Sequence, residues 1–276
     1  MLYPEHRDER PSPMSTLRKI AKQYLSATVT SRPIKSLLKL VDYQLAPYKE
    51  TEDPSADSLA AHLATVLTRW QINCVLDVGA NQGQTGWLLR RLGYRGRIVS
   101  FEPVKRNFDV LAQQCAADPD WRCHQFALGA SNGEQIINVT RRGVFDSFLQ
   151  PTEYSIQQFG GDSEVIDSET VVLRRLETGI DSCCDGLTTP RIFLKLDTQG
   201  YDLEVLAGAG QGLDCTVALQ VELSVKPVYQ GMVNYLDAIP RINALGFEVT
   251  GLFPVNRDGL LRVVEFDCVA VRPGGL

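Results

Sequence analysis

The sequence predicts an α/β fold: a mostly parallel sheet of seven strands with helices on both faces and a helical extension at the N-terminus. Three observations carry this. From residue 73 onward, short apolar runs alternate with segments of helical spacing, the pattern of strand–helix–strand units. The first run, Val75-Leu76-Asp77-Val78, passes through Gly79-Ala80-Asn81-Gln82-Gly83 into a helix. The second, Ile98-Val99-Ser100-Phe101, ends in Glu102, 19 positions after Gly83.

Residues 1–13 hold three prolines and, besides His6, five charged residues and read as a disordered tail. Residues 14–56 read as a basic helical extension, with helical spacing at Leu17, Ile20, Ala21 and Tyr24, and again at Ile34, Leu37, Leu38, Val41 and Leu45. Residues 57–276 form the main domain. Asp57 or Ser58 caps a helix reaching Thr68. There follow strand 73–79, helix 84–92, strand 97–101, helix 104–117 and strand 121–126. Residues 131–182 break the rhythm: 134–140 and 170–173 read as strands, while 145–167 is polar and contains Gly160-Gly161. A stretch of this kind predicts a variable lid and substrate wall. The alternation resumes with strand 191–197, helix 201–208, strand 215–222, helix 232–244, strand 246–252 and strand 262–271. Asn256-Arg257-Asp258-Gly259 joins the last two as a hairpin connection.

Composition narrows the function. Hydrophobic residues make up 44% of the chain and charged residues 22%, an ordinary globular balance. No apolar run approaches the ~20 residues that span a bilayer, and the first residues lack the apolar core of a secretory signal. Seven cysteines without metal-site spacing read as free thiols, which points to the reducing cytoplasm. Residues 1–49 carry nine Lys/Arg and four Asp/Glu, so this part is +5 and the remainder −10. The basic segment reads as a helical layer packed on the domain or on a second copy, or as a contact with a membrane surface. An acidic chain without interleaved aromatic and basic residues argues against nucleic acid.

Glycines at a strand-to-helix turn let the backbone approach a ligand, and the helix offers free N–H groups there. An acid at the tip of the next strand can accept both hydroxyls of a ribose. These features predict a nucleoside pocket built from Asp77, Gly79, Ala80, Asn81, Gly83 and Glu102. A nicotinamide dinucleotide site places a second glycine where this chain has Asn81, and an anion gains little beside Asp77. A cationic nucleoside such as S-adenosylmethionine fits better. The alternatives are a nicotinamide-dependent oxidoreductase and a non-catalytic cofactor-binding scaffold.

Leu76-Asp77-Val78-Gly79-Ala80-Asn81-Gln82-Gly83, Phe101-Glu102-Pro103, Ala127-Leu128-Gly129 and Leu194-Lys195-Leu196-Asp197-Thr198-Gln199-Gly200-Tyr201-Asp202-Leu203-Glu204 occur in that order. Together they resemble the FkbM family of class I S-adenosylmethionine-dependent methyltransferases, over roughly residues 72–270. The resemblance implies a Rossmann-like sheet of six parallel strands with an antiparallel last strand. It also implies O-methylation of a hydroxyl on a small molecule, a sugar or a polyketide-type natural product.

In open α/β sheets ligands lie beyond the carboxyl ends of the strands. Phe126, Ala127 and Ser147 are therefore further candidates for cofactor contact. Asp197 and Glu222 end the fourth and fifth strands and are the candidates for taking a proton from an acceptor hydroxyl. The same pair suggests Mg²⁺, with Asp202 as a third ligand. Lys195 in a buried strand needs a partner, and Asp77 is the expected one. His124 reads as a core histidine.

Overall fold

The computed structural model describes residues 54–274. The expected tail and the two helices over 15–25 and 34–46 lie outside the described residues. The first described helix, α1 (Pro54–Arg69), begins ahead of the expected Asp57 or Ser58. Pro54 stands in its first turn, where a missing N–H is tolerated.

The sheet core follows from three apolar runs. β1 (Cys74–Val78) and β7 (Ile192–Leu196) are buried at all five positions, and β8 (Thr216–Ser224) at all nine. Such runs have no polar face to show to water, so helices must cover both sides. The seven-stranded sheet has the order β3-β2-β1-β7-β8-β10-β9. It takes in β2 (Arg97–Phe101), β3 (Trp121–His124), β9 (Glu248–Arg257) and β10 (Val263–Val271). β3, β2, β1, β7 and β8 pair in parallel, and β10 lies antiparallel to both β8 and β9. Six strands thus run one way and the last in sequence runs against them, the class I methyltransferase arrangement. The helices between the early strands are α2 (Gln84–Arg91) and α3 (Lys105–Cys115).

Alternating residues of β1 serve two cores. Cys74, Leu76 and Val78 pack with Leu194, Leu219 and Phe247 on one face; Val75 packs with Leu63, Leu89 and Leu111 on the other. That second face also carries a polar row. Cys123, Ser100, Asp77, Lys195 and Gln220 are direct cross-strand partners from β3 through β8, and directly paired residues share a face. Trp121 Nε1 donates to Ser100 Oγ at 2.9 Å, Ser100 Oγ to Asp77 Oδ2 at 3.3 Å, and Gln220 Nε2 to Asp267 Oδ1 at 2.9 Å.

Two departures from expectation have simple causes. The third strand stops at His124, and Ala127–Leu128 (β4) pairs instead with β6 (Val165–Arg174). Within 131–182 the strands expected at 134–140 and 170–173 are present, but the second begins earlier, at Val165: β5 (Gly133–Thr140) pairs antiparallel with β6, giving a second sheet of order β4-β6-β5. The first half of β6, Val165-Ile166-Asp167-Ser168-Glu169-Thr170, is largely exposed, so its polar composition imitates a loop. Helix α4 (Glu153–Gln158) packs Tyr154 with Val228 and Val264, and α5 (Ile180–Cys184) places Cys183 in the core of the large sheet, which α6 (Asp202–Ala207) and α7 (Tyr235–Ala244) complete.

Candidate active site

A cavity of about 260 Å³ opens at the carboxyl ends of β1, β2 and β7, under the second sheet. Gly79, Ala80 and Asn81 line it from the β1–α2 turn, Glu102 from the tip of β2, Ala127 from β4, and Asp197 from the tip of β7. Its apolar wall is Val78, Phe101, Leu128 and Ile137. Six of the predicted residues therefore meet in one space.

Glycine is required at position 79 for two reasons. Its φ is +75°, and a Cβ there would fall on the carbonyl oxygen of Asp197. The tips of β1 and β7 touch at this point, so Gly79 sets the cavity floor by close backbone approach.

Glu102 is only 5% exposed. Its Oε2 accepts from the Asn81 N–H at 2.8 Å and its Oε1 from the Val104 N–H at 2.9 Å. Burial pushes its pKa up to about 7, against the pull of those two N–H groups. Each oxygen retains a lone pair for a ligand hydroxyl.

Asp77 is fully buried and does not line the cavity. Its Oδ1 lies 3.3 Å from Lys195 Nζ, the expected ion pair, and Lys195 Nζ also contacts Asp197 Oδ2 at 3.2 Å. Burial opposes the lysine charge, but the two carboxylates outweigh it and raise its pKa. The carboxylates that line the cavity are Glu102, Asp146 and Asp197, and Asp77 lies one layer below, against Lys195.

Asp197 does not cap the next helix. Thr198 N–H and Oγ1 both donate to Asp202, whereas Asp197 Oδ1 accepts from Gln199 Nε2 at 2.8 Å. Glu222 lies inside β8, which continues to Ser224, and it does not reach the cavity. Its Oε2 accepts from the same Gln199 amide at 3.0 Å, and burial followed by the nearby Glu265 raises its pKa well above the usual carboxylate range.

The Mg²⁺ expectation is corrected by this arrangement. Among the described residues no group of three or more His, Cys, Asp or Glu side chains could hold a metal ion. The Gln199 amide stands between Asp197 and Glu222, and Asp202 is engaged by Thr198.

Three predicted cofactor contacts also lie outside the cavity lining. Gly83 serves packing, because a Cβ there would press on the Trp121 ring. Phe126 packs at a tilt against Phe101 and His124 behind the wall, and Arg174 lies 4.5 Å over its ring. Ser147 is 1% exposed, and its hydroxyl donates to the Gln199 carbonyl at 2.7 Å. Its neighbour Asp146 lines the cavity instead, anchored by Thr140 and Arg106. His124 is partly exposed and edges a smaller cavity, with its pKa lowered by burial and by Arg174. The lining residues Gln84, Thr85, Asn107, Val144, Phe148 and Gln199 were not singled out from sequence. Only Gln199, beside Asp197 in a quoted motif, carried a signal that could have found it.

Comparison with known proteins places this geometry. The chain is 27% identical over 231 residues to the AMB antimetabolite synthetase AmbE of Pseudomonas aeruginosa, which covers 72% of this chain but only 10% of that much longer protein. It is 26% identical over 204 residues to the 2-O-methyltransferase NoeI of Sinorhizobium fredii, covering 68% of this chain and 78% of NoeI. The crystal structure of methyltransferase FkbM from Methylobacillus flagellatus KT superposes with a TM-score of 0.46 at 16% identity, over 72% of this chain and 43% of that one. The model of the methyltransferase FkbM domain matches residues 77–249, from the first strand of the cavity to the last strand but one, and the chain belongs to the FkbM methyltransferase family.

Proposed function

We propose that this protein transfers a methyl group from S-adenosylmethionine to a hydroxyl of a small molecule, of the sugar or natural-product type. The observation that carries the proposal is the cavity with a buried carboxylate, Glu102, on one wall and a second, Asp197, on the other. The residues present fit the cofactor. Glu102 has lone pairs for a ribose diol, the Gly79–Asn81 turn offers bare backbone, and the apolar wall suits an adenine ring. S-adenosylmethionine, when bound, supplies the methyl group and the leaving group of an in-line displacement.

The protein's part is then to orient the acceptor oxygen and take its proton. Asp197 is the group for this role, at Oδ1 or Oδ2, with Lys195 and Gln199 fixing its orientation. Glu222 supports it from behind through the Gln199 amide. Family membership weighs against the nicotinamide oxidoreductase reading, and the similarity to a protein named 2-O-methyltransferase supports oxygen as the acceptor atom.

The test has two stages. Calorimetry should show S-adenosylhomocysteine binding more tightly than NAD; the reverse order sinks the cofactor assignment. Methyl-labelled S-adenosylmethionine is then offered to a panel of free sugars, glycosides and polyketide alcohols. Asp197→Asn should bind S-adenosylhomocysteine nearly as well as the wild type and lose at least ~100-fold in kcat. Retained turnover would remove Asp197 from the chemistry. Binding without transfer to any hydroxyl would favour the scaffold reading.

A further inference from the structure

Four non-glycine residues among those described have left-handed backbones: Gln71, Asn81, Gln199 and Leu261. Two of them, Asn81 (φ 48°) and Gln199 (φ 54°), line the cavity from opposite strand tips. Such a conformation is costly for a side-chain-bearing residue and persists where surrounding contacts over-determine it. Here the contacts converge on one segment, the strap of residues 143–149 that follows β5 and contributes Gly143, Val144, Asp146 and Phe148 to the cavity wall. Asn81 Nδ2 donates to the Gly143 carbonyl at 2.9 Å. On the other side, the Gln199 carbonyl accepts from Ser147 Oγ, which in turn accepts from the Leu149 N–H at 3.0 Å.

The Gln199 side chain has no idle polar atom. Nε2 donates to Asp197 Oδ1 and to Glu222 Oε2, and Oε1 accepts from Tyr229 Oη at 2.7 Å. The same Tyr229 hydroxyl lies 3.2 Å from the Phe145 carbonyl, at the centre of the strap. Tyr229 is 1% exposed. Gln199 therefore ties the candidate base and a strand of the large sheet through its amide, and the strap through its own backbone carbonyl.

We infer that Gln199 is a positioning residue that sets the Asp197 carboxylate and the strap as a single unit, so that the acceptor-side wall and the proton-accepting group keep one fixed relation. This rests on the proposed function for its meaning. The coupling itself can be measured on the free protein.

The experiment is hydrogen exchange read by mass spectrometry on the full chain, for wild type, Gln199→Gly and Gln199→Leu. Gln199→Gly relieves the left-handed backbone and removes the amide; Gln199→Leu keeps the bulk and removes the polar atoms. In both, the residue-199 carbonyl is no longer held in place by its own side chain and loosens its hold on the Ser147 hydroxyl. The strap peptide carrying the Leu149 N–H, which bonds that hydroxyl, should then exchange about tenfold faster, the effect of losing one hydrogen bond from a local opening. Peptides from β7 and from β1 should keep their protection. Unchanged strap exchange in both variants overturns the inference. So does a loss of protection spread evenly over β7, β8 and the strap, which would mean that Gln199 merely packs. Failure of the wild type to bind S-adenosylhomocysteine would refute the cofactor reading and leave the strap result standing.

Discussion

Replacing Lys195 by methionine isolates the buried charge beneath the cavity. The side chain is 5% exposed, and its ammonium stands 3.3 Å from Asp77 and 3.2 Å from Asp197. Methionine fills similar space, so the loss is electrostatic. Asp77, fully buried, would keep only the Ser100 hydroxyl at 3.3 Å. Removing one member of a buried ion pair costs about 3–5 kcal/mol, because a desolvated charge is left behind. For a domain of this size that is roughly 6–20 °C in Tm. The deficit should depend on pH. Burial already raises the Asp77 pKa above that of an unfolded aspartate, and without Lys195 it rises further. An acid whose folded pKa is raised loses stability as pH climbs through the window between its unfolded and folded values. Lys195→Met should therefore be least destabilised near pH 5 and most destabilised near pH 8. Asp77→Asn combined with Lys195→Met should recover much of the loss. Urea denaturation of the four proteins at both pH values measures this. A single variant within 1 kcal/mol of wild type at pH 8, or a double variant worse than both singles, would refute the electrostatic account.

Four more outcomes follow from the site and the buried acids around it. Glu102→Gln keeps the shape but leaves one acceptor oxygen for two N–H groups, so S-adenosylhomocysteine affinity should fall by about 1.5–3 kcal/mol by calorimetry; an unchanged Kd would remove Glu102 from the site. Because the Glu102 pKa is raised to about 7, wild-type affinity should also weaken as pH drops from 8 to 6. Gly79→Ala should destabilise the fold together with the site, since its Cβ meets the Asp197 backbone, and circular dichroism melting should show a lower Tm; a fully stable variant would contradict the close approach. Burial also raises Glu265 to about 7, and Asp202 and Asp267 to about 6. These acids and Glu102 hold protons more tightly when folded, so their contribution to Tm should fall as pH climbs from about 4.5 to about 7, while lowered His62 and His124 act oppositely on the acid side. Replacing Glu265 by Gln should flatten this fall, and an unaltered Tm profile over about pH 5–7 would refute the assignment.

What could be read from sequence was what is local. The β1 turn, Glu102 and Asp197 each end an apolar run, and strand ends in a parallel sheet converge without further information. The Lys195–Asp77 pair was legible because two charges in two buried runs leave few partners. The strap was not legible. Gly143 reaches Asn81 across 62 positions through tertiary closure alone, and the polar first half of β6 hides the sheet that carries the strap. Ser147 was expected to reach the pocket, whereas Asp146, one residue earlier, is the one that lines the cavity. Glu222 was placed at a strand end because the apolar run stops there, whereas the pairing continues to Ser224.

The polar row across the large sheet constrains how the chain is assembled in time. Asp77 pairs with Lys195 and never with a neighbour in sequence, and on a ribosome the lysine emerges 118 residues later. Until then β1 carries a carboxylate with no cation, on a face that must become dry. A nascent chain ending before β7 therefore has a reason not to close its sheet early. Once β7 arrives, only one alignment brings ammonium to carboxylate, and a slip by one residue would turn both to the wrong face. The central strands are thus timed and aligned by the same pair of charges.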